Sequence, residues 1–314
     1  MLIGFPVPKK VGDEPHELVW KALILPTLSH GKHFANGFRK GENGWVKRDF
    51  DVVLTNDTPL LWIKTANWSS RTLLARGRYI SEVTNKRFLL LGAGSLSSFI
   101  CEQLVRNGIN SITIMDSDTF NAGNLSRHTL TIKDVGRLKA EALAEHLNAT
   151  NMYARVKAVC KDFDLNNVAY LDNADVIIDC TANDEVLNII STHNFSSKTI
   201  FITASFGFEA EFLYIAASRA IEFSHTAYLD KFTPAINNHM KNYPWDNIPW
   251  EGVGCWSPVF PATTSDVMLA STIAVNTIIN YLNIKEKELK HFIFAKNFND
   301  GGYLIGYKDV SHEV

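Results

Sequence analysis

What this chain can fold into is narrowed most by the stretch from Phe88 to Lys139, FLLLGAGSLSSFICEQLVRNGINSITIMDSDTFNAGNLSRHTLTIKDVGRLK. Its opening run, Phe88 to Leu91, is short and wholly apolar, the pattern of a buried strand. Gly92-Ala93-Gly94 follows at once. Ser95 to Val105 then has helical spacing, with Leu96, Ile100, Leu104 and Val105 near one face, and Asn107-Gly108 ends that helix. Ser111 to Met115 is a second buried strand, closing on Asp116. Strand, glycine turn, helix, strand and acid in this order form a nucleotide-binding βαβ unit. The glycines of Gly92, Gly94 and the adjoining Ser95 let the backbone turn tightly and approach phosphate. The free N–H groups and the dipole of the helix N-terminus favour the anion. Asp116, at the next strand end, is placed to accept hydrogen bonds from ribose hydroxyls.

A dinucleotide site needs only one acid at that point. Here Asp118, Asn124, Arg127 and Lys139 follow within a short stretch, just where ligands bind in open α/β sheets. Cations and amide donors together are what a triphosphate requires. Arg127 offers a planar fork for two phosphate oxygens, and Lys139 a movable point charge. A solvated charged surface would explain any one of these residues but poorly explains the set.

With LLLGAGSLSS, IMDSD, NLSRH and DVGRLKAEAL in this order, the sequence resembles the ubiquitin-activating enzyme superfamily, in its ThiF/MoeB/HesA adenylyltransferase form. Weaker echoes occur in IIDCTAND at Ile177–Asp184 and in GCWSPVFPATTSDVMLAS at Gly254–Ser271, so the resemblance covers roughly residues 86 to 282. It implies a doubly wound, Rossmann-like α/β domain with a mostly parallel sheet, usually dimeric. It also implies ATP and Mg²⁺ as cofactors, and adenylation of the C-terminal carboxylate of a small or ubiquitin-like protein. Asn124, Arg127 and Lys139 match the family residues that hold the triphosphate. The family's third glycine is Ser97 here, still small enough for close helix–strand packing. His128 stands where many relatives carry Gln and reads as a surface or supporting residue rather than a catalytic one. Some relatives reach the neighbour's ATP with an arginine before the first core strand, for which Arg71, Arg76 and Arg78 are candidates.

Two positions depart from the family or go beyond the glycine turn. In the pattern DCTDN the second Asp is the usual magnesium carboxylate, and that position is Ala182 in Asp179-Cys180-Thr181-Ala182-Asn183-Asp184. Asp184 or Asp179 could supply the carboxylate; equally, Asp179 could cap the next helix and Asp184 lie in its first turn. Cys255, in GVGCWSP, lies where thioester-forming members place their nucleophile, in a crossover loop. The competing reading is a buried structural thiol. Cys101, Cys160 and Cys180 sit in helix, strand-end and core-turn contexts that suit a nucleophile less well. None of the four cysteines forms a CxxC pair, which argues against the zinc site that many members carry.

Within bacteria, NLSRH, the missing zinc ligands and the opening GFPVPKKVGDEPHELVWKAL resemble the activating half of the fused activating–conjugating proteins of CBASS-type antiphage operons. That group attaches the C-terminus of a cGAS-like nucleotidyltransferase to targets, so the resemblance implies a conjugating-type thiol partner or domain. It also leaves room for this chain to be one part of such a fusion. Two other classes stay open: an adenylyltransferase for a sulfur carrier or a peptide that forms no thioester, and a non-catalytic dimeric scaffold, which Ala182 makes conceivable.

The 314 residues suffice for one large domain or two, and 46% hydrophobic with 20% charged residues describes a globular chain. A net charge of −2 gives no reason to expect a nucleic-acid surface. No secretory leader and no bilayer-length apolar run is visible, so no membrane is expected and the cytoplasm is the default. The division expected is a small α+β accessory region over 1–85 and the adenylation domain over 86–314, with a crossover loop at 222–264. Within the first region, Pro6, Pro8 and Gly12 mark an irregular start and Glu14 to Leu25 reads as a helix. Trp45 to Ile63 reads as strands and Ser69 to Ile80 as helical. Trp20, Trp45, Trp62 and Trp68 read as filling a small core. Farther on, Ala154–Val159, Val176–Asp179 and Thr199–Ala204 read as strands. Phe212 reads as opening a different region, Glu222 to Trp256 as loop, and Ser265–Leu282 as an apolar helix that packs on the sheet or at a subunit interface.

Overall fold

A computed structural model describes residues 1–24, 38–41, 44–47, 61–241, 262–284 and 288–312. The chain divides into two compact units, Met1–Ala75 and Arg76–Val314.

The described residues of the first unit are mostly strands. β1 (Leu2–Pro8), β2 (Pro15–Ile24), β3 (Phe38–Gly41), β4 (Gly44–Lys47) and β5 (Leu61–Ile63) form an antiparallel sheet in the order β1-β2-β5 and a separate antiparallel pair, β3-β4. This corrects two expectations. The segment read as a helix from Glu14 is β2, because its Leu18-Val19-Trp20 centre pairs with Pro6, Phe5 and Gly4 of β1 instead of coiling on itself. The irregular start is β1, whose prolines are tolerated because it lies on the sheet edge. Nor do three of the four tryptophans fill a core: Trp20, Trp62 and Trp68 are each more than half exposed, while the side chain of Trp45 lies outside the described residues. The helix read over Ser69–Ile80 shrinks to one turn, Ser70–Leu73, capped by the Ser69 hydroxyl.

The second unit holds an eight-stranded sheet. Its strands are β6 (Arg87–Leu91), β7 (Ser111–Met115), β8 (Arg155–Val159), β9 (Val176–Asp179), β10 (Thr199–Phe206), β11 (Phe212–Ala220), β12 (Lys290–Phe298) and β13 (Leu304–Asp309). The order is β13-β12-β11-β10-β9-β6-β7-β8. β8 through β10 run parallel; β11, β12 and β13 join antiparallel, so Phe212 continues the same sheet and does not open a new region. Besides the single turn Ser81–Thr84, the described α-helices of this unit are α1 (Ser95–Arg106), α2 (Lys139–Thr150), α3 (Asp184–Thr192), α4 (His225–Lys241) and α5 (Thr264–Asn283). Side-chain alternation in β6 splits the core in two. Phe88 and Leu90 pack with Ile100 of α1, Leu143 of α2 and Ala274 of α5; Leu89 and Leu91 pack with Leu187 of α3 and Phe232 of α4. A sheet covered by helices on both faces is the doubly wound α/β architecture. α4 corrects part of the stretch read as loop: Tyr228, Phe232 and Ala235 are buried at helical spacing, a pattern that Pro234 interrupts in the sequence.

The chain leaves β6 toward β7 and β8 on one side, then returns to β9 on the other. The turns after β6 and β9 therefore diverge, opening the crevice at the strand carboxyl ends where ligands bind in such sheets. Parallel register brings Leu91 level with both Met115 and Asp179. Among the described residues no helix is long and apolar enough to cross a membrane. Cys255 and the whole segment from 242 to 261 that contains it lie outside the described residues, as does the side chain of Arg71.

Candidate nucleotide site

The site begins at the turn after β6. Gly92 has φ +88°, and a Cβ there would lie 3.3 Å from the carbonyl carbon and oxygen of Cys180, so both conformation and space demand glycine. Its N–H is held by the Met115 carbonyl at 2.9 Å. Gly94 is different. It caps α1 with ordinary φ, and a Cβ there would meet nothing within 4 Å. Gly94 leaves an open backbone edge at a helix N-terminus, which is the fit an anion needs.

Asp116 faces this turn. Its Oδ2 accepts the Ala93 N–H at 2.6 Å and its Oδ1 accepts the Asp118 N–H at 2.7 Å. Each carboxylate oxygen keeps a second lone pair for a ligand hydroxyl. Burial raises the Asp116 pKa from its ordinary value, opposed by the two N–H bonds and the charge of Lys139.

Asp118 and Lys139 come together through a short antiparallel bridge, Thr119 with Leu138, flanked by Phe120–Arg137 and Gly136–Phe120 backbone bonds of 2.8 Å. The Lys139 ammonium then lies 2.6 Å from Asp118 Oδ2, its side chain only 12% exposed against 67% for Asp118. Asn124 sits in the 3-10 turn Ala122–Arg127, where its side-chain oxygen accepts the Asn121 N–H at 2.9 Å. Arg127, half-buried, ends that turn, and His128 follows, buried.

Gly92, Gly94, Asp116, Asp118 and Lys139 line one cleft of about 570 Å³, within the range of small-molecule sites. Ser95, Asn124 and Arg127 are not among its lining residues, although the turn bearing Arg127 reaches the glycine turn through His128, whose Nε2 lies 2.9 Å from the Ala93 carbonyl. Sequence reasoning missed the far wall: Lys161, Asp162 and Asp164 after β8, and Thr181, Asn183 and Glu185 after β9. Only topology brings these loops to the glycine turn.

Asp179 and Asp184 do not line the cleft. Asp179 is buried, its Oδ1 accepting the Thr181 N–H at 3.0 Å and hydroxyl at 2.6 Å, and burial pushes its carboxyl up to about 6. Asp184 is exposed in the first turn of α3, behind Asn183, whose side chain caps the helix by accepting the Glu185 N–H at 2.9 Å. Ala182, at the family's carboxylate position, has φ +52°. Among the described residues no three His, Cys, Asp or Glu side chains are grouped to hold a metal ion. Magnesium bridging phosphates needs only one or two carboxylates, and the acids along this cleft fit that demand. Of the described thiols, Cys101 is buried and pushed up to about 12, Cys180 is pushed upward by burial, and Cys160 is exposed.

Compared with known proteins, residues 72–299 match the ThiF family. The chain belongs to that family. Residues 1–68 match the Cap2 central linker domain. Over 304 residues the chain is 36% identical to the ATP-dependent ubiquitin transferase-like protein Cap2 of Enterobacter hormaechei subsp. hoffmannii, covering 96% of this chain and 50% of that protein. It thus spans half the length of that relative. The molybdopterin-synthase adenylyltransferase of Escherichia coli is 29% identical over 125 residues, 38% of this chain and 49% of that protein. A crystal structure of E. coli MccB with succinimide superposes with a TM-score of 0.50 at 14% identity, covering 73% of this chain and 65% of that one, a likeness of fold alone. The ThiF-family match and the doubly wound sheet agree on the adenylation fold.

Proposed function

We propose that this ThiF-family chain uses ATP to adenylate the C-terminal carboxylate of a small or ubiquitin-like protein. The observation that carries this is the convergence of an open glycine turn, the Asp116 carboxylate and the Lys139–Asp118 pair in one cleft. The ribose would lie at Asp116 and the phosphates between the start of α1, Lys139 and Arg127, with Asn124 supplying an amide N–H. A substrate carboxylate oxygen attacks the α-phosphorus, the bond to the β-phosphate oxygen breaks, and pyrophosphate leaves. The chain's residues need only align the reactants and neutralise charge. Mg²⁺ would screen the phosphates when bound. Of the two carboxylates expected from the sequence, Asp184 is the exposed one, and Glu185 beside it faces the cleft; Asp179 supports the wall from beneath.

Similarity to the Cap2 protein favours a further step. The Cys255 thiolate would attack the acyl carbon of the adenylate, expelling AMP and leaving a thioester for a conjugating-type thiol partner or domain. The substrate in that reading is a cGAS-like nucleotidyltransferase in antiphage defence. Likeness to the molybdopterin-synthase adenylyltransferase favours a second reading, in which a sulfur-carrier tail is adenylated and no thioester forms. ATP–pyrophosphate exchange, measured with each type of protein tail, tests the activity and separates the readings. Exchange with neither tail, in a chain that also fails to bind ATP in calorimetry, would overturn both. A homodimer is the expected active form, and a monomer by light scattering at micromolar concentration would refute it.

A further inference from the structure

His128 closes the turn that carries Arg127, and its ring is buried. Nδ1 accepts the Leu130 N–H at 3.1 Å, so that nitrogen bears no proton. A neutral imidazole must then carry its proton on Nε2, and the 2.9 Å contact with Ala93 is an N–H donated to the carbonyl. The ring also meets Phe120 edge-on, with centroids 5.1 Å apart, and Phe120 is the residue whose backbone bonds anchor the Asp118–Lys139 bridge. One side chain therefore touches the glycine turn and the ladder that presents Lys139, and adjoins Arg127 in the chain.

Ala93 is held from both sides. Its N–H goes to Asp116 and its carbonyl to His128. In a planar trans peptide the carbonyl and the following N–H point in opposite directions. Fixing the Ala93 carbonyl on His128 thus directs the Gly94 N–H away from the imidazole, and Gly94 lines the cleft. We propose that His128 is a positioning residue for the polyphosphate: its bond to Ala93 sets the peptide plane that presents the Gly94 N–H to phosphate and ties that plane to the Arg127 turn. The inference rests on the reading of the cleft as a triphosphate site. It assigns His128 no contact with the nucleoside.

Two variants of the full chain test it by calorimetry at neutral pH. His128→Gln keeps a side-chain N–H donor and an acceptor; His128→Met fills the space without a donor. Relative to wild type, the Met variant is expected to bind ATP about tenfold more weakly and adenosine within about twofold, while Gln restores ATP binding to within about threefold. Three outcomes overturn the proposal: Met equal to wild type on ATP, Met losing the same factor on ATP and adenosine, or Gln no better than Met. If the Met variant fails to fold, imidazole nitrogen NMR of the wild type decides. The Nε2-protonated neutral ring should be seen and should shift with ATP but not adenosine; the other tautomer, or no shift with ATP, overturns the proposal. Wild type that binds adenosine but not ATP would instead remove the triphosphate reading, and His128's role with it.

Discussion

The two glycines of the turn should fail in different ways when changed to alanine. At Gly92 the backbone is left-handed, φ +88°, which costs an L-residue about 1–2 kcal/mol. The new Cβ would also press at 3.3 Å on the Cys180 carbonyl group and on Cγ2 of Thr181. Cys180 follows β9 directly and its N–H is bonded to the Leu91 carbonyl at 2.9 Å, so the neighbour cannot retreat without disturbing two central strands. Overpacking of this kind adds about 1–2 kcal/mol. Gly92→Ala should therefore lose about 2–4 kcal/mol, a fall in Tm of roughly 4–16 °C. Gly94→Ala meets neither obstacle, since φ is −83° and nothing lies within 4 Å of the added methyl. Its stability should stay within about 0.5 kcal/mol of wild type. That methyl would, however, occupy the open edge over the start of α1, and ATP affinity should fall at least about tenfold, the equivalent of about 1.4 kcal/mol. Thermal melts and calorimetric titration with ATP read the two effects separately. Gly94→Ala binding ATP like wild type would refute the reasoning that this edge receives phosphate; Gly92→Ala melting like wild type would refute the strain argument.

Lys139→Ala and Arg127→Ala should each slow ATP–pyrophosphate exchange by about ten- to a hundredfold, the usual loss for one charged contact, and unchanged exchange would unseat the phosphate assignment. Cys255→Ala should leave exchange nearly intact and abolish the reductant-sensitive thioester band; equal loss of both half-reactions would make Cys255 structural. Stability against pH should carry two opposing contributions. Burial pulls His128 down to about 4 against an ordinary 6.5, with Lys139 and His146 adding to the shift and Asp134 opposing it, so its contribution of about 3 kcal/mol is full above pH 6.5 and lost as pH falls through 4. Asp179, pushed up to about 6, contributes stability that is present below 3.8 and lost as pH rises through 6. His128→Gln removes the first contribution alone, so between pH 7 and 4.5 the variant should gain stability relative to wild type in urea melts, and parallel curves would contradict the buried neutral imidazole.

The strands and helix from Phe88 to Met115 were legible because their periodicity is undiluted: Phe88 to Leu91 is wholly apolar, Ser111 to Met115 sets Ile112 and Ile114 in alternation, and the helix repeats at one spacing. The strand from Pro15 to Ile24 was not. Its apolar residues follow no strict alternation, and what makes it a strand is pairing with Leu2–Pro8 on one side and Leu61–Ile63 on the other, which periodicity within the segment does not reveal. The helix His225–Lys241 was hidden by Pro234 and by having only three buried side chains in 17 residues. For the site, Gly92, Gly94, Asp116, Asp118 and Lys139 were legible because one motif carries them in order. Asp162, Asp164, Asn183 and Glu185 were not, because they come from the ends of two other strands, and only the return of the chain across the central strand sets them opposite the glycine turn. The bond from His128 to Ala93 joins residues 35 positions apart and leaves no periodic trace.

Magnitudes decide what the Asp118–Lys139 pair is for. Asp118 is 67% exposed, and ion pairs with one partner in water are worth about 0–1 kcal/mol, too little for the pair to be a device of stability. Placement is a different matter. An unrestrained lysine spends its charge over many rotamers, and holding such a side chain costs about 1.5–2 kcal/mol when a ligand must do it. The backbone bridge from Thr119 to Leu138 fixes where Lys139 begins, the carboxylate of Asp118 fixes where its ammonium ends, and the same bridge rests on Phe120 and so on the His128 ring. The cation and the glycine turn are thus located relative to each other by the fold itself. In the proposed adenylation, where alignment and charge neutralisation are the catalysis, that placement is the main thing the chain would contribute.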